Sequence, residues 1–412
     1  MGGVSMEWKE DIAADFCSSV TDGTHDSPKA TTIGKKLITS KHLKDGYIDF
    51  ESAKFISEKD YLKVIERSKV DQFDILFSMI GTIGNIYRET SPNIEYAVKN
   101  MGIFKMGGNA VRSKWLFYWL KSKEAKAYIH ERMAGSTQSY LTLDSLRKFP
   151  VVYPEDINDM ENIVSILSSL DRKIELNNKI NADLEEMAQA IFKNWFVDFE
   201  PFKDGKFVDS ELGMIPEGWK VGRLDEIADV VGGSTPSKAK PEYYTQKGIA
   251  WLTPKDLSNH PAVYTSRGEI DITEEGYNST STKLIPKGTV LFTSRAPIGY
   301  ISIAQNDICT NQGFKSLVPK KAGTCFLYCF LKYVTPEIEN KSTGSTFKEA
   351  SGSLMKSLQV IIPEQNVFEE FEAIVSPLFA RIESLEKESS RLSLLRDTLL
   401  PRLMSGELEV PE

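Results

Sequence analysis

The sequence contains little cysteine and little histidine, with four of each in 412 residues. The cysteines show no spacing typical of a disulfide framework. Cys325 and Cys329 lie four residues apart in the apolar segment FLYCFL, which is typical of one face of a buried helix. A zinc site on these thiols is the alternative, but the histidines lie far away in sequence and the ligand spacing is wrong for zinc. We therefore expect reduced cysteines and no bound metal.

Long apolar runs and an excess of positive charge are also missing. No stretch approaches the roughly 18 consecutive apolar residues that a membrane-spanning helix needs. The first residues, MGGVSMEWKED, contain no apolar core of a signal peptide. We therefore expect a cytoplasmic protein with no membrane partner. The net charge of −8 is unusual for a protein that binds nucleic acid, because such proteins generally carry a basic surface.

Motifs of nucleotide-dependent enzymes do not occur. The sequence has no G-x-x-x-x-G-K-[ST] phosphate loop and no G-x-G-x-x-G. It also lacks an Asn/Asp-Pro-Pro-aromatic stretch of the kind that amino-methyltransferases use on a flipped adenine. Apolar residues make up 41% of the chain, which is enough to form folded cores, and the length suggests two or three domains. These features favour a folded binding protein that is not itself catalytic.

The chain repeats itself at a spacing of about 209 residues. GSTQSYLTLDSLRKFPVVYP, at 135–154, aligns with GSTFKEASGSLMKSLQVIIP, at 344–363. MEWKEDIAADF aligns with EGWKVGRLDEIADV, and FDILFSMIGTIGNI aligns with GTVLFTSRAPIGYI. The spacing drifts by a few residues, as expected when insertions lie in surface loops. Such a long period excludes a solenoid and indicates a tandem duplication.

Each half begins with a mixed segment and ends with a long amphipathic helix. The mixed segments contain short β-like runs (DILFSMI, TVLFTS, FPVVYP, LQVIIP) and a helical pattern at 114–133, so we predict mixed α/β (α+β) globular domains in tandem. Each helix keeps a seven-residue apolar spacing over about five heptads, which is typical of a coiled coil. The stripe and its supporting residues are Ile163, Ile166, Leu170, Ile174, Asn177, Ile180, Leu184, Met187 and Ile191 in the first helix, and Phe371, Ile374, Leu378, Ile382, Leu385, Leu392, Leu395 and Leu399 in the second.

Two such helices in a duplicated chain can pair as an antiparallel coiled coil. Asn177 then lies in the seam, where a single buried amide often fixes the register. The alternative is that each helix packs on its own globule. The predicted segments are a first globular domain at 1–153, a first helix at 154–200, a linker at 201–215, a second globular domain at 216–362 and a second helix at 363–412.

The negative charge is concentrated in the two helical segments. Residues 154–200 carry a net charge of −7 and residues 363–412 a net charge of −6. The globular segments 1–153 and 216–362 each carry +3. Because phosphate neutralisation supplies most non-specific affinity for DNA, +3 is weak unless the basic side chains lie together or partner proteins add to them.

Several loops of the globular segments have residues suited to DNA. VTDGTHDSPK and its counterpart VGGSTPSK combine backbone N–H groups and hydroxyls with a terminal lysine, all of which suit phosphate contacts. The TSK and TPK turns place lysines at equivalent positions, and an arginine in TSRAPIG could bind a guanine edge. The alternative is that these Gly/Ser/Thr segments are only turns. The DNA-binding candidates are Thr24, His25, Lys29, Lys41, Ser136, Thr137, Ser234, Thr235, Lys238, Lys255, Arg295, Ser345 and Thr346.

The sequence resembles the specificity subunit of type I restriction–modification systems over essentially its full length. The matching segments are DGTHDSP, GMIPEGWKVGRLDEIADVVGGSTPSK, IPKGTVLFTSRAPIGYISIA, CTNQGFKSLVP and LLPRLMSGEL. The resemblance implies two target recognition domains, one for each half of a split double-stranded DNA target, and two helices that set the gap and dock two methylation subunits. It also implies restriction subunits in the full complex. S-adenosylmethionine and ATP with Mg²⁺ would then be used by these partners, with no cofactor bound by this chain.

The ends of the two helices are candidates for binding those partners. AIFKNWFVDFEP is highly aromatic, and aromatic side chains are frequent interface anchors. The alternative is that these side chains pack back on the globular domains. The partner-binding candidates are Phe192, Trp195, Phe196, Phe199, Leu399, Leu400 and Leu403.

Two other functions remain possible from the sequence. A self-sufficient enzyme, a methyltransferase or nuclease with unrecognised motifs, would bind S-adenosylmethionine on its own. A structural scaffold that holds two protein-binding domains would show no two-part DNA consensus.

Overall fold

The computed structural model describes residues 6–44, 46–133, 139–342, 348–408 and 410. Contacts divide the chain into two compact units. Unit 1 contains residues 1–174 and 391–412, and unit 2 contains residues 175–390. The boundary between the units therefore falls within each of the two long helices.

Unit 1 is built from short strands and helices that lead into the first long helix. In chain order they are β1 Trp8–Ile12, α1 Ala13–Phe16, β2 Ser19–Asp22, β3 Lys35–Thr39, β4 Phe55–Ile56, α2 Glu58–Ser68, β5 Ile75–Ser78, β6 Ile86–Arg88, β7 Tyr96–Lys99, β8 Met101–Lys105, α3 Ala110–Trp119, α4 Lys123–Arg132, α5 Leu143–Arg147, β9 Pro150–Pro154 and the long helix α6 Ile157–Phe196.

The remaining elements repeat this plan and end in the second long helix. They are β10 Phe207–Ser210, β11 Gly213–Pro216, β12 Lys220–Arg223, β13 Ala228–Gly232, β14 Tyr244–Thr245, β15 Trp251–Leu252, α7 Pro254–Asn259, β16 Tyr264–Thr265, β17 Asp271–Ile272, α8 Glu274–Asn278, β18 Val290–Ser294, β19 Ile298–Ala304, β20 Cys309–Thr310, β21 Lys315–Pro319, α9 Thr324–Lys341, α10 Gly352–Ser357, β22 Gln359–Ile362 and α11 Gln365–Met404. The segment predicted as a linker forms the hairpin β10–β11.

The main sheets of the two units share four strands in the same order, to which unit 2 adds β16, and this order confirms the repeat in three dimensions. The main sheet of unit 1 has the strand order β2-β8-β5-β6, and that of unit 2 has β13-β21-β18-β19-β16. In unit 1, β1 also pairs antiparallel with β9, and in unit 2, β12 pairs antiparallel with β22, so that Val151 faces Asp11 and Val360 faces Gly222. The four β-like runs predicted from the sequence form β5, β18, β9 and β22.

The segment 114–133 of unit 1 forms two helices, whereas the equivalent segment of unit 2 forms one continuous helix. The predicted helical pattern is confirmed but divided into two helices, because α3 ends at Trp119 and α4 begins anew after Ser122. The Ser122 hydroxyl accepts a hydrogen bond from the N–H of Ala125 at 3.1 Å, which satisfies a helix-starting donor. In unit 2 the equivalent helix α9 runs without interruption.

Cys325 and Cys329 lie on α9 and are both buried, as the sequence predicts. Burial raises the pKa of both thiols, so neither is a reactive thiolate. In the part of the chain that the structure describes, no group of three or more His, Cys, Asp or Glu side chains could hold a metal ion. No described helix is long and apolar enough to cross a membrane.

In each unit a tryptophan at or just before β1 or β12 packs in or against the core and is covered by the segment that follows a long helix. In unit 2, the rings of Phe199 and Phe202 meet the Trp219 ring with centroids 5.7 and 4.8 Å apart. In unit 1, Gly406 lies so close to Trp8 that a Cβ there would be 2.7 Å from the indole Nε1. In both units the segment after a long helix therefore packs on a tryptophan, through aromatic rings in unit 2 and through a glycine in unit 1.

Within each unit, polar contacts join α6 to α11. In unit 1, Asp171 forms an ion pair with Arg396 at 2.7 Å and accepts a hydrogen bond from the Tyr118 hydroxyl at 2.7 Å. In unit 2, the fully buried Asn177 donates to Glu388 at 3.0 Å and to Ser389 at 3.2 Å. In unit 2, the apolar contacts between α6 and α11 are thus interrupted by the polar contacts of Asn177.

Three supporting residues of the predicted apolar stripe are not buried. Met187, Ile374 and Leu395 are all about half exposed, so the prediction that they support the seam is wrong. The buried apolar positions of α11 in unit 2 are Val367, Phe368, Phe371, Val375, Phe379, Ile382 and Leu385, which include the predicted Phe371, Ile382 and Leu385. The buried face of each long helix is therefore narrower than the predicted apolar stripe. Some apolar side chains of the stripe lie on the exposed surface of the helices.

Candidate nucleic-acid interface

In unit 1 the loop after β2 presents His25 to solvent on a fixed support. The His25 ring lies 2.9 Å from a carboxylate oxygen of the buried Asp22 and 2.9 Å from the side-chain oxygen of Asn100. Gly23 starts this loop and lies directly on β7, since a Cβ there would be 2.6 Å from the Val98 carbonyl oxygen. The loop is thus held by its backbone and by Asp22, and the His25 side chain stays 66% exposed although both its ring nitrogens are hydrogen-bonded.

Basic side chains from separate elements converge on this loop. Arg67 pairs with Asp22 at 3.0 Å, Lys63 with Asp26 at 3.6 Å, and Lys54 donates to the Pro28 carbonyl at 2.6 Å. Lys99 donates to the Ser27 hydroxyl, and Lys29 is exposed at the end of the loop. Five cations therefore surround two carboxylates, which gives a local positive surface despite the small net charge of the segment.

Lys41 belongs to the same surface. It lies in a 3-10 turn, Ser40–His42, whose Ser40 hydroxyl donates to the Asn100 carbonyl at 3.1 Å. Asn100 therefore links Thr24 and His25 to the turn that carries Lys41. The sequence identified Thr24, His25, Lys29 and Lys41, and the structure brings them to one side of unit 1.

The same turn occurs in unit 2 with a different capping side chain. In unit 1 the Thr39 N–H donates to His42 Nδ1 at 3.0 Å, and in unit 2 the Thr253 N–H donates to an Asp256 carboxylate oxygen at 2.7 Å. Burial and the neighbouring Lys41 lower the pKa of His42, so the ring is neutral and its Nδ1 can accept. Lys41 and Lys255 each occupy the equivalent exposed position of this turn.

The loop after β13 is supported from below by two aromatic residues. Gly233 packs on β20, because a Cβ there would be 2.1 Å from the Thr310 carbonyl oxygen. The Trp251 indole N–H donates to the Ser234 carbonyl at 3.1 Å, and the Tyr244 hydroxyl donates to the Pro236 carbonyl at 2.6 Å. These bonds fix the loop that ends in Lys238.

Lys238 and Lys255 line one open cleft of about 640 Å³ in unit 2. Its other lining residues include Tyr244, Gln246, Trp251, Thr253, Asp256 and Glu269. Ser234 and Thr235 lie in the loop that borders the cleft, and the Thr235 hydroxyl donates to the Gln312 side-chain oxygen. The two lysines suit phosphate contacts, and the exposed polar side chains beside them suit base edges.

Arg295 does not line this cleft. Its guanidinium lies 3.5 Å from Glu349, which also pairs with Lys315 at 3.4 Å. A carboxylate thus holds two cations at a separate place in unit 2. Ser136, Thr137, Ser345 and Thr346 lie outside the described residues.

Sequence reasoning missed the residues that come from other segments. In unit 1 these are Lys54, Lys63, Arg67, Lys99 and Asn100, and in unit 2 they are Tyr244, Gln246, Glu269 and Gln312. None lies in a motif with a fixed spacing to the predicted loops. Among them, only Asn100 could have been recognised locally, because an asparagine between two apolar runs is typical of a turn.

The predicted partner-binding residues lie largely in the cores of their own units. Phe192 and Phe196 are buried among the rings of Phe326 and Phe371, and Leu400 and Leu403 are buried in unit 1. Trp195, Phe199 and Leu399 are half-buried against the same cores. Packing on the globular part, the alternative that the sequence left open, is therefore what the structure shows. An exposed anchor made of Phe192, Phe196, Leu400 and Leu403 is excluded by their burial.

Comparisons with known proteins agree with this two-part architecture. The family model described as type I restriction modification DNA specificity domain matches residues 31–186 and 216–393. The specificity subunit of the type I restriction enzyme MjaIX from Methanocaldococcus jannaschii is 40% identical over 190 residues, which cover 45% of this chain and 44% of that relative. The specificity subunit of the type I restriction enzyme HindI from Haemophilus influenzae is 27% identical over 408 residues, which cover 83% of this chain and 88% of that relative.

The similarity to a solved structure extends over nearly the whole chain. The crystal structure of the S subunit of a type I restriction–modification system from M. genitalium matches with a TM-score of 0.57 at 16% identity, and the match covers 97% of each chain. At this identity the similarity concerns the fold.

Proposed function

The chain belongs to the family of type I restriction–modification DNA specificity proteins, and we propose that it selects the DNA target of such a system without catalysing a reaction itself. Each unit reads one half of a two-part double-stranded target. The surface around Thr24, His25 and Lys41 reads one half-site, and the cleft with Lys238 and Lys255 contributes to reading the other.

The observation that carries this proposal is one frame built twice with different exposed side chains. Both units start their DNA-facing loop with a close-packed glycine, and both place a lysine on the same capped turn. The capping group is His42 in one and Asp256 in the other, and His25 has no counterpart of the same type in VGGSTPSK. A common backbone with different tips is what two readers of two different sequences require.

The long helices set the gap and bind partners in this proposal. We infer that α6 and α11 pair as an antiparallel coiled coil, because within unit 2 the contacts Asn177–Glu388 and Phe192–Phe371 run in opposite chain directions. Exposed apolar side chains on the helices are the docking candidates that replace the buried aromatic residues. They are Leu394 and Leu395 in unit 1 and Leu176, Met187 and Ile374 in unit 2.

Partner subunits supply the chemistry. Two methylation subunits would bring S-adenosylmethionine, and restriction subunits would bring ATP and Mg²⁺. The chain alone should therefore bind no S-adenosylmethionine in a calorimetric titration, and binding would favour the enzyme alternative. The complex acts on DNA in the cytoplasm.

Exchange of one reader tests the proposal. Residues 1–153 are replaced by the corresponding segment of another family member, and the methylated sites of the assembled complex are sequenced. We expect one half-site to change and the other to stay intact, because each unit has its own core and its own interface. A complex without any two-part consensus would favour a scaffold, and a simultaneous change of both half-sites would refute separate readers.

A further inference from the structure

We propose that the unit 2 cleft reads base edges of its half-site through Gln246 and Glu269, while Lys238 and Lys255 contact the flanking phosphates. The inference rests on the proposed function, since it assumes that unit 2 binds DNA. It assigns specificity to two side chains that no sequence motif indicates.

One wall is the loop that carries Lys238. Trp251 and Tyr244 hold the loop backbone through their ring N–H and hydroxyl groups, at 3.1 and 2.6 Å. Their own rings are 5.9 Å apart in an edge-to-face arrangement. Trp251 is buried, so this wall is a rigid support for the loop that brings Lys238 to the cleft.

A second part of the lining is organised by Asp256 at the start of α7. One of its oxygens accepts from the N–H and hydroxyl of Thr253, at 2.7 and 2.6 Å. The other accepts from the backbone N–H of Glu269 at 2.8 Å. Asp256 is therefore occupied as a positioning residue, and Glu269 is the carboxylate that this arrangement presents to the cleft.

Glu269 and Gln246 are both available to a ligand. The Glu269 side chain is 75% exposed, and its pairing with the exposed Lys255 is long, at 3.8 Å. Exposed pairs of this kind contribute little and are easily exchanged. Gln246 is exposed at the tip that follows β14, a strand tied to β17 by the pairing of Tyr244 with Ile272.

The chemistry of these groups predicts which bases are read. A glutamine side chain can bond to both N6 and N7 of adenine, and a glutamate accepts from the amino group of cytosine in the major groove. Both groups favour a base that carries an exocyclic amino group. The lysines contact phosphates and carry no sequence information. We therefore expect adenine or cytosine at the positions that this cleft reads.

The test uses the assembled complex with its methylation subunits and a DNA library randomised in both half-sites. Gln246→Ala and Glu269→Ala should each relax the preference by about 5- to 100-fold at one or two positions of a single half-site. Lys238→Ala should weaken binding to all sequences alike. Glu275→Ala, an exposed carboxylate on α8 in the same unit, removes the same charge as Glu269→Ala and should leave the preference unchanged.

The other half-site is the internal control, because its unchanged recognition shows that the variant complex is folded. Unchanged preferences at both half-sites in Gln246→Ala and Glu269→Ala would overturn this inference alone. A wild-type complex with no two-part preference would overturn the proposed function, and this inference with it.

Discussion

Glu386 links the second long helix to the edge of the unit 2 sheet, and its ionisation should control the stability of that link. Its two carboxylate oxygens accept from the backbone N–H groups of Val263 and Tyr264, at 2.7 and 3.0 Å, where strand β16 begins. Burial raises the pKa of Glu386 to about 7, and the nearby carboxylates Glu185 and Glu383 add to the effect. The hydrogen bonds from the two N–H groups lower the pKa of Glu386, but by less than burial raises it.

The sign of the pH dependence follows from this raised pKa. In the unfolded chain the group has its ordinary value of 4.5, so the folded protein holds its proton more tightly. The stabilisation is fully present below about pH 4.5 and is lost as the pH rises through about 7. At 1.36 kcal/mol per pH unit, the difference corresponds to a loss of about 3 kcal/mol in the free energy of unfolding.

The assay is urea unfolding followed by tryptophan fluorescence at pH 5 and pH 8. Glu386→Gln cannot ionise, so its loss of stability between the two pH values should be smaller than that of the wild type by about 2–3 kcal/mol. At pH 5 the variant should be about 1 kcal/mol less stable, because its amide turns a donor toward one backbone N–H. Glu370→Gln, at an exposed position of the same helix, should follow the wild type. Parallel pH dependences for Glu386→Gln and the wild type would refute a raised pKa.

The repeat, the four strands and the long helices could be predicted because each depends on local pattern. Runs such as LQVIIP are short and apolar between turn residues, which is enough for a strand. A seven-residue apolar spacing over five heptads is enough for a long helix. The helix break at Ser122 was missed, because the apolar spacing continues through it while the serine hydroxyl caps a new helix.

The contacts that build the candidate site could not be predicted, because they join distant segments. Glu269 reaches the cleft only because Asp256 binds its backbone N–H, thirteen residues away. His42 and Asp256 cap the same turn although one is an imidazole and the other a carboxylate, so residue type alone hides the equivalence. Phe196 is buried because its ring packs on that of Phe326 in α9, which lies 130 residues later in the chain.

Two further changes test the helices and the closure of unit 1. Inserting one heptad within 160–190 should lengthen the gap between half-sites by up to about 10 Å, roughly three base pairs, whereas a two-residue insertion should abolish binding; an unchanged gap in methylation-site sequencing would exclude the helix as its determinant. Gly406→Ala should destabilise unit 1 in urea unfolding, because Gly406 has a φ of +74° and its Cβ would overlap Trp8. The left-handed backbone costs about 1 kcal/mol and the overlap about 1–3 kcal/mol more. Gly108→Ala is the matched control, because φ is +80° and nothing lies within 4 Å of the added Cβ, so only the backbone cost should appear. Equal losses in the two variants would show that Trp8 moves aside freely, and that the contact between the ends of unit 1 does not depend on glycine.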